Sequence, residues 1–185
     1  MFIQTEATPN PATLKFIPGE KVLGSGTLEF KDRASAENVS PLAARLFGID
    51  GVSGVFLGSD FISVTKADGD WQHMKPALLG AIMEHYLSGD PAAVSDTSQA
   101  ESGDDFASED AEIVATIKEL LETRVRPAVA NDGGDIIFQG FRNGVVYLQM
   151  RGACSGCPSS TATLRHGIEN LLRHFVPEVE EVRAI

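Results

Sequence analysis

Two cysteines, Cys154 and Cys157, are the only thiols of this 185-residue chain, and both lie in the stretch RGACSGCPSS. A CxxC pair is the kind of group that ligates a soft metal or exchanges a disulfide. Structural zinc sites and iron–sulfur clusters each normally take four protein ligands, so one chain offers half of a four-sulfur site. If a metal binds here, the remaining ligands must come from elsewhere.

The sequence around the pair predicts a strand-to-helix turn. A strand is expected to end near Met150, and a helix is expected to begin at about Pro158 or Ser159. Glycines at 152 and 156 allow backbone angles that other residues resist. The free N–H groups and partial positive charge of a helix N-terminus stabilise thiolates, so the loop suits thiolate chemistry.

Three chemistries use such a loop. In the first, a CxxC before a helix exchanges disulfides as in thioredoxin, but that fold places its pair early in a βαβ unit, whereas this pair follows an expected antiparallel hairpin. In the second, zinc needs two further ligands, and the nearest histidines, His166 and His174, are better interpreted as surface or last-turn residues of a helix. The third is an iron–sulfur cluster, for which two copies of Cys154 and Cys157 meet across a two-fold axis.

The elements that position the pair form the second of two small domains. Apolar spacing predicts a helix in SEDAEIVATIKELLETRV that Pro127 kinks or ends, followed by two strands around the Asn143-Gly144 turn. An amphipathic helix closed by Pro177 and a terminal strand, VEEVRAI, follow the cysteine loop. We expect an α+β fold of order α-β-β-α-β over residues 111–185.

Residues 1–87 predict a separate α+β domain with an antiparallel sheet. Hairpins are expected around ATPNP and GSD, and Ser40 and Pro41 are typical of a helix N-terminus. Residues 88–110 contain seven acidic and no basic side chains and show no apolar periodicity, which predicts a flexible acidic linker.

Composition limits the classes of partner and compartment. The net charge is −11, and neither flank of the acidic stretch has the basic excess that nucleic-acid binding requires, so we expect no nucleic-acid partner. No run approaches 18 apolar residues, so we expect no membrane partner. The N-terminal stretch has neither signal-peptide nor transit-peptide character, and we therefore expect a cytoplasmic protein.

Two further features have mainly structural interpretations. The stretch NDGGD, residues 131–135, is expected to reverse the chain from helix to strand, with Asp132 or Asp135 bonding nearby amides. Arg151, beside the cysteine loop, is either an ordinary exposed arginine or a charge that screens an anionic cluster or contacts another protein. No catalytic triad, carboxylate pair or phosphate-binding glycine loop is evident, so we expect no enzyme active site.

The stretch RPAVANDGGDIIFQGFRNGVVYLQMRGACSGCPSSTATLRHGIENLL resembles the NifU-like C-terminal domain of the Nfu iron–sulfur proteins, and residues 1–87 resemble the N-terminal domain of the same family. The resemblance implies a scaffold or carrier that binds a [4Fe-4S] cluster between two subunits, with Cys154 and Cys157 of each as ligands. It also implies that the cluster passes to apo-proteins, with upstream assembly proteins as further partners.

Overall fold

The computed structural model describes residues 2–24, 26–94, 110–153 and 158–185, and for residues 158–160 it describes only the backbone. The chain divides into two compact units, Met1–Ser98 and Gln99–Ile185. Each contains one sheet with helices, which confirms the expected α+β class.

The first unit is built on a five-stranded antiparallel sheet. Its strands are β1 (Gln4–Ala7), β2 (Thr13–Ile17), β3 (Leu28–Phe30), β4 (Val52–Leu57) and β5 (Ile62–Lys66), in the order β1-β2-β5-β4-β3. The expected hairpins join β1 to β2 and β4 to β5. The core combines sheet residues with helical ones, including Phe16, Leu42, Leu46, Ile62, Leu78 and Ile82.

Three helices, α1 (Arg33–Glu37), α2 (Pro41–Phe47) and α3 (Trp71–Ser88), complete this unit. Ser40 caps α2 as predicted, because its hydroxyl accepts a hydrogen bond from the amide of Ala43 at 3.0 Å. Asp70 caps α3 in the same way through the amide of Gln72, so α3 begins before Pro76 and contains it. Gly89, with φ of 76°, ends α3 in the left-handed conformation that favours glycine.

The residues that follow Gly89 contact the first unit, although they fall in the stretch expected to be linker. Ala92 is buried within its core, and the Ser40 hydroxyl donates a hydrogen bond to the Ala92 carbonyl. The amide of Val94 donates to the carbonyl of Val39 at 2.7 Å. These hydrogen bonds and the burial of Ala92 hold the residues after Gly89 against the first unit. A composition rich in Ser, Asp and Ala does not predict such contacts.

The second unit has the predicted order of elements. They are α4 (Ala111–Leu120), α5 (Arg126–Asn131), β6 (Gly134–Arg142), β7 (Val145–Gly152), α6 (Pro158–Phe175) and β8 (Glu181–Ala184). The sheet has the order β6-β7-β8, in which β6 and β7 are antiparallel and β8 runs parallel to β7. Its core joins one face of the sheet to the helices through residues such as Ile117, Val129, Ile136, Leu148, Ile168 and Leu172.

The helix before β6 continues past the point where Pro127 was expected to end or kink it. A π-helical turn, Leu121–Val125, connects α4 to α5, and Pro127 lies at the start of α5. A proline has no amide hydrogen and crowds the carbonyl four residues earlier, so a wider turn at this point lets the chain stay helical. The helical segment therefore reaches Asn131, directly before the reversal into β6.

The hairpin between β6 and β7 has the predicted turn. Asn143 and Gly144 both have positive φ, 51° and 77°, as a two-residue type I′ turn requires. The register shifts between Phe138 and Gly140, so Gln139 forms a bulge in β6. Across the described parts of the chain, no helix combines the length and apolar character needed to cross a membrane.

His85 makes the stability of the first unit depend on pH. It is buried in α3, and neither ring nitrogen has a hydrogen-bond partner among the described residues. Burial, assisted by Arg45 and opposed by Asp90, lowers the pKa of His85 below its usual value near 6.5. Below that value the unfolded chain gains a proton that the folded chain does not, so acid lowers the free energy of unfolding.

We predict that His85→Leu reduces the acid sensitivity of the first unit. Between about pH 7 and pH 5, the wild type should lose up to about 1.4 kcal/mol per pH unit below the unfolded-state pKa. Denaturant unfolding followed by fluorescence of Trp71, the single tryptophan and a residue of this unit, measures the loss. His73→Leu, at an exposed position of the same helix, is the control and should retain the wild-type dependence. Equal acid sensitivity in both variants would contradict the prediction.

Candidate metal-binding loop

The two sequence-predicted ligands, Cys154 and Cys157, lie outside the described residues, between Ala153 and Pro158. The elements on both sides are described, and they confirm the predicted strand-to-helix turn. β7 ends at Gly152, and α6 begins at Pro158 and runs for 18 residues. The candidate site is therefore defined by the segments that lead into and out of the cysteine loop.

The entry to the cysteine loop is fixed by backbone pairing. Gly152 is the last residue of β7 and pairs with Gly134, the first residue of β6. Ala153 is buried, and its amide donates a hydrogen bond to the carbonyl of Gly133 at 3.2 Å. Gly152 has φ of 67°, a conformation that favours glycine. The residue immediately before Cys154 is thus held by the turn before β6.

That turn is the NDGGD stretch, which reverses the chain as predicted. The amide of Asp132 donates to the carbonyl of Val129, and the amide of Gly133 donates to the carbonyl of Ala130, both at 3.0 Å. Gly133 has φ of 78°. These bonds end α5 and turn the chain into β6 within two residues.

A buried ion pair connects α5 to the start of β6. Arg126 donates from Nε and Nη2 to the two carboxylate oxygens of Asp135 at 2.9 and 3.0 Å, and Asp135 is only 3% exposed. Asp135 also accepts from the amide of Ile136 at 2.8 Å, and the exposed Glu122 binds the other side of the guanidinium. The hydrogen bond to Asp135 raises the pKa of Arg126 above its usual value. Arg126 therefore stays charged, and its two hydrogen bonds to Asp135 set the position of the Asp135–Gly134 end of β6.

Sequence reasoning missed this pair, although it identified one member. Asp135 was expected to bond a nearby amide, and it does so through Ile136. Arg126 lies only nine residues earlier, beside Pro127, but nothing in a linear sequence shows that the reversal brings its side chain onto Asp135. A charged residue between Gly134 and two isoleucines at the start of a strand is the signal that calls for a partner.

Arg151 is buried, so its interpretation as an ordinary exposed arginine was wrong. The residue is 8% exposed although it lies next to the end of β7. Within the described residues its guanidinium makes one hydrogen bond, from Nη2 to the side-chain oxygen of Gln149 at 3.4 Å. Gln139, in the bulge of β6, donates to the same oxygen at 3.0 Å. Arg151 is a buried cation three residues before Cys154.

The described side chains of the helix after the cysteine loop follow the predicted amphipathic pattern, with one exception. Ile168 and Leu172 are buried in the core, and Leu164 and Leu171 pack against it, as the apolar spacing predicted. Phe175 differs, because it is 45% exposed and its ring lies 5.1 Å from the guanidinium carbon of Arg124. His166 and His174 are exposed, as surface histidines should be. Excluding the undescribed stretches, no cluster of three or more His, Cys, Asp or Glu residues could hold a metal.

Comparison with known proteins gives matches to both units. Residues 3–89 match the family model of the N-terminal domain of scaffold protein Nfu/NifU, and residues 117–183 match the model of the NifU-like domain. The human NFU1 iron-sulfur cluster scaffold homolog, mitochondrial, is 50% identical and is covered over 72% of its length by all of this chain. NifU-like protein 4, mitochondrial, of Arabidopsis thaliana is 51% identical, with 98% of this chain covering 65% of its length.

A solved structure is also similar to part of the chain. The solution NMR structure of a NifU-like protein from Saccharomyces cerevisiae is 27% identical, with a TM-score of 0.46, over 52% of this chain and 87% of that one.

The names of the relatives correct one expectation. The cytoplasmic location expected from the N-terminal stretch is contradicted, because the human, plant and Drosophila sechellia relatives are all named as mitochondrial. Targeting information lies in processing segments, and the composition of a folded domain does not reveal it.

We predict that Arg126→Met destabilises the second unit by about 3 kcal/mol, because it leaves the Asp135 carboxylate buried without its cation. Glu122→Gln removes only an exposed partner of the same arginine and should cost less than about 1 kcal/mol. Amide hydrogen exchange of β6 and β7 measures the difference. The Trp71 unfolding transition reports the first unit and should not change. Equal exchange in the two variants would show that the ion pair does not hold β6.

Proposed function

Since the chain belongs to the Nfu family of iron–sulfur cluster scaffold proteins, we propose that two copies of it hold one [4Fe-4S] cluster between them and transfer it to apo-proteins. The proposed ligands are Cys154 and Cys157 of each subunit. The observation that carries the proposal is the ligand count, since each chain has two thiols where a cubane cluster takes four thiolates.

The structure on both sides of the cysteine loop supports the proposal. The ladder between β6 and β7 and the bond from Ala153 to Gly133 hold the residues directly before Cys154. Pro158, directly after Cys157, begins an 18-residue helix, whose N-terminal N–H groups favour anionic sulfur. One chain thus supplies two thiolates on a short loop between two fixed elements, and the second pair comes from a symmetry-related copy.

A shared site explains release as well as binding. When a client thiol approaches, it gives up its proton and its sulfur forms a bond to a cluster iron, while the bond from that iron to Cys154 or Cys157 breaks and the freed thiolate takes a proton. The number of iron–sulfur bonds is unchanged at each exchange, so the cluster moves without redox chemistry. The protein is in this respect a binding and transfer protein, and we propose no catalysed reaction for it.

The first unit has no predicted ligand, and we assign it to contacts with client or upstream assembly proteins. Its buried core is formed entirely by residues of that unit, so we expect the unit to fold without the cysteine loop. We propose that the stretch between the units, which is acidic in sequence, serves as a tether that lets the loaded unit reach acceptors of different shape. Removing the first unit should separate cluster binding, which the second unit should keep, from contacts with other proteins.

A thiol–disulfide oxidoreductase that uses the same pair is the competing function. It needs both thiols in one subunit and no iron, so metal content and oligomeric state distinguish it from the carrier. A zinc-bridged dimer is a third arrangement, and it is colourless.

Anaerobic reconstitution with iron and sulfide tests the proposal. The wild type should bind about four irons per dimer and show visible absorption, and sizing should show that the dimer forms with the cluster. Cys154→Ala and Cys157→Ala should each abolish colour and cluster-dependent dimerisation, because a dimer of either variant has only two thiolates and does not complete the ligand set. Ser160→Ala, three residues after Cys157 and without a thiol, is the control and should bind iron as the wild type does. A colourless monomer that reduces disulfides, or a coloured dimer in either cysteine variant, would exclude the proposed site.

A further inference from the structure

We propose that Arg151, a buried cation with no carboxylate partner among the described residues, is the electrostatic partner of the bound cluster and stabilises its negative charge. The inference rests on the proposed function and assigns a role to a residue that is not a ligand. It concerns the strength with which the cluster is held and the potential at which it is reduced.

The first argument is the free-energy cost of burying the positive charge of Arg151. An arginine keeps its proton under all ordinary conditions, so a buried Arg151 is a buried positive charge. Its one hydrogen bond among the described residues is the 3.4 Å contact to Gln149, which is neutral, and no carboxylate of the described residues pairs with it. A buried charge is normally paired or hydrogen-bonded to its full capacity. Arg151 therefore satisfies a requirement other than the stability of the apo fold.

The second argument concerns Asp135, the residue opposite Arg151 in the sheet. Asp135 faces Arg151 in the ladder of β6 and β7, and opposite charges at such positions ordinarily pair. Both carboxylate oxygens of Asp135 are instead bound by Arg126, and one of them also accepts from the amide of Ile136. Glu122, the other partner of Arg126, has a side chain that is 62% exposed, so solvent screens its charge. Among the described residues, the bidentate pair leaves Arg151 without a carboxylate partner at this end of the sheet.

The third argument is proximity to the ligands. Consecutive Cα atoms are about 3.8 Å apart, so the Cα atoms of Arg151 and Cys154 cannot be separated by more than about 11 Å. The distance is comparable to the Debye length of about 8 Å at physiological salt, and a buried charge is screened less than an exposed one. Gly152 and Ala153, which intervene, are both held by backbone pairing. The backbone of Arg151 thus has a fixed position relative to the start of the loop, and the guanidinium contacts Gln149 on the same strand.

The negative charge of an iron–sulfur cluster is complementary to the positive charge of Arg151. An oxidised cubane with four thiolate ligands has a net charge of about −2, and reduction by one electron makes it more negative. Two subunits contribute two copies of Arg151. A nearby cation favours the anionic cluster over its loss, and it favours the reduced form over the oxidised form, so it slows release and raises the reduction potential.

Arg151→Gln, which keeps hydrogen-bonding capacity and removes the charge, tests the inference. In the reconstituted full-length protein, the reduction potential should become more negative, and transfer of iron to a chelator should become faster by on the order of tenfold. Arg151→Lys keeps the charge and should restore both properties most of the way to wild type.

Arg142→Gln is the matched control. It makes the same substitution in the same sheet at the hairpin end, where Arg142 is exposed and pairs with Val145. Val145 and Arg151 are six residues apart on β7, or about 20 Å. The control should keep the wild-type potential and rate of iron loss. Equal effects of the two glutamine variants, or no effect of Arg151→Gln, would overturn the inference.

A stability measurement separates this role from a structural one. Because no described carboxylate pairs with this charge, apo Arg151→Gln should be at least as stable as wild type by amide exchange of β6 and β7. Marked destabilisation or failure to fold would show that Arg151 supports the fold, and would equally overturn the inference. If the wild type itself takes up no cluster, the proposed function fails; if the wild type is loaded and Arg151→Gln matches it, only the present inference fails.

Discussion

The bidentate ion pair between Arg126 and Asp135 is the interaction on which the geometry of the second unit depends most directly. It joins the last helical turns before the reversal to the first residues of β6, and β6 holds the end of β7 through the Gly134–Gly152 pair. The position of Ala153, and so the start of the cysteine loop, follows from that pairing. A charge pair that is mostly withdrawn from water is costly to break, because either partner alone is left without solvation or compensation.

The π-helical turn before Arg126 allows that residue to lie on a helix in spite of the proline that follows it. Pro127 lies directly after Arg126, where an ordinary α-helix loses a backbone hydrogen bond and meets a steric clash. The wider turn at Leu121–Val125 absorbs the misfit, and the following residues remain helical as far as Asn131. Arg126 thus projects from a regular helix, and its planar fork matches both oxygens of Asp135.

Sequence alone predicted most of this fold because the signals are local. The Asn143-Gly144 turn, the Ser40 cap and the apolar spacing of α6 each depend on a few neighbouring residues, and each was confirmed. The partner of Asp135, the burial of Arg151 and the packing of Ala92 depend on residues brought together by the tertiary structure, and local patterns did not predict them. For the site, the thiol count and the residue types were readable from the sequence, whereas the charge environment of the loop required the sheet register.

The register shift at Gln139 has a consequence for self-association. β6 is the longest strand at a margin of either sheet, and a long, regular strand with free N–H and C=O groups is a template for pairing with another chain. The bulge interrupts that template, while the other marginal strands, β1, β3 and β8, have only three or four residues each. Sheet-to-sheet aggregation is therefore discouraged in both units. For the cluster carrier proposed above, subunits that do not pair through their strands would be free to meet and separate through the cluster alone.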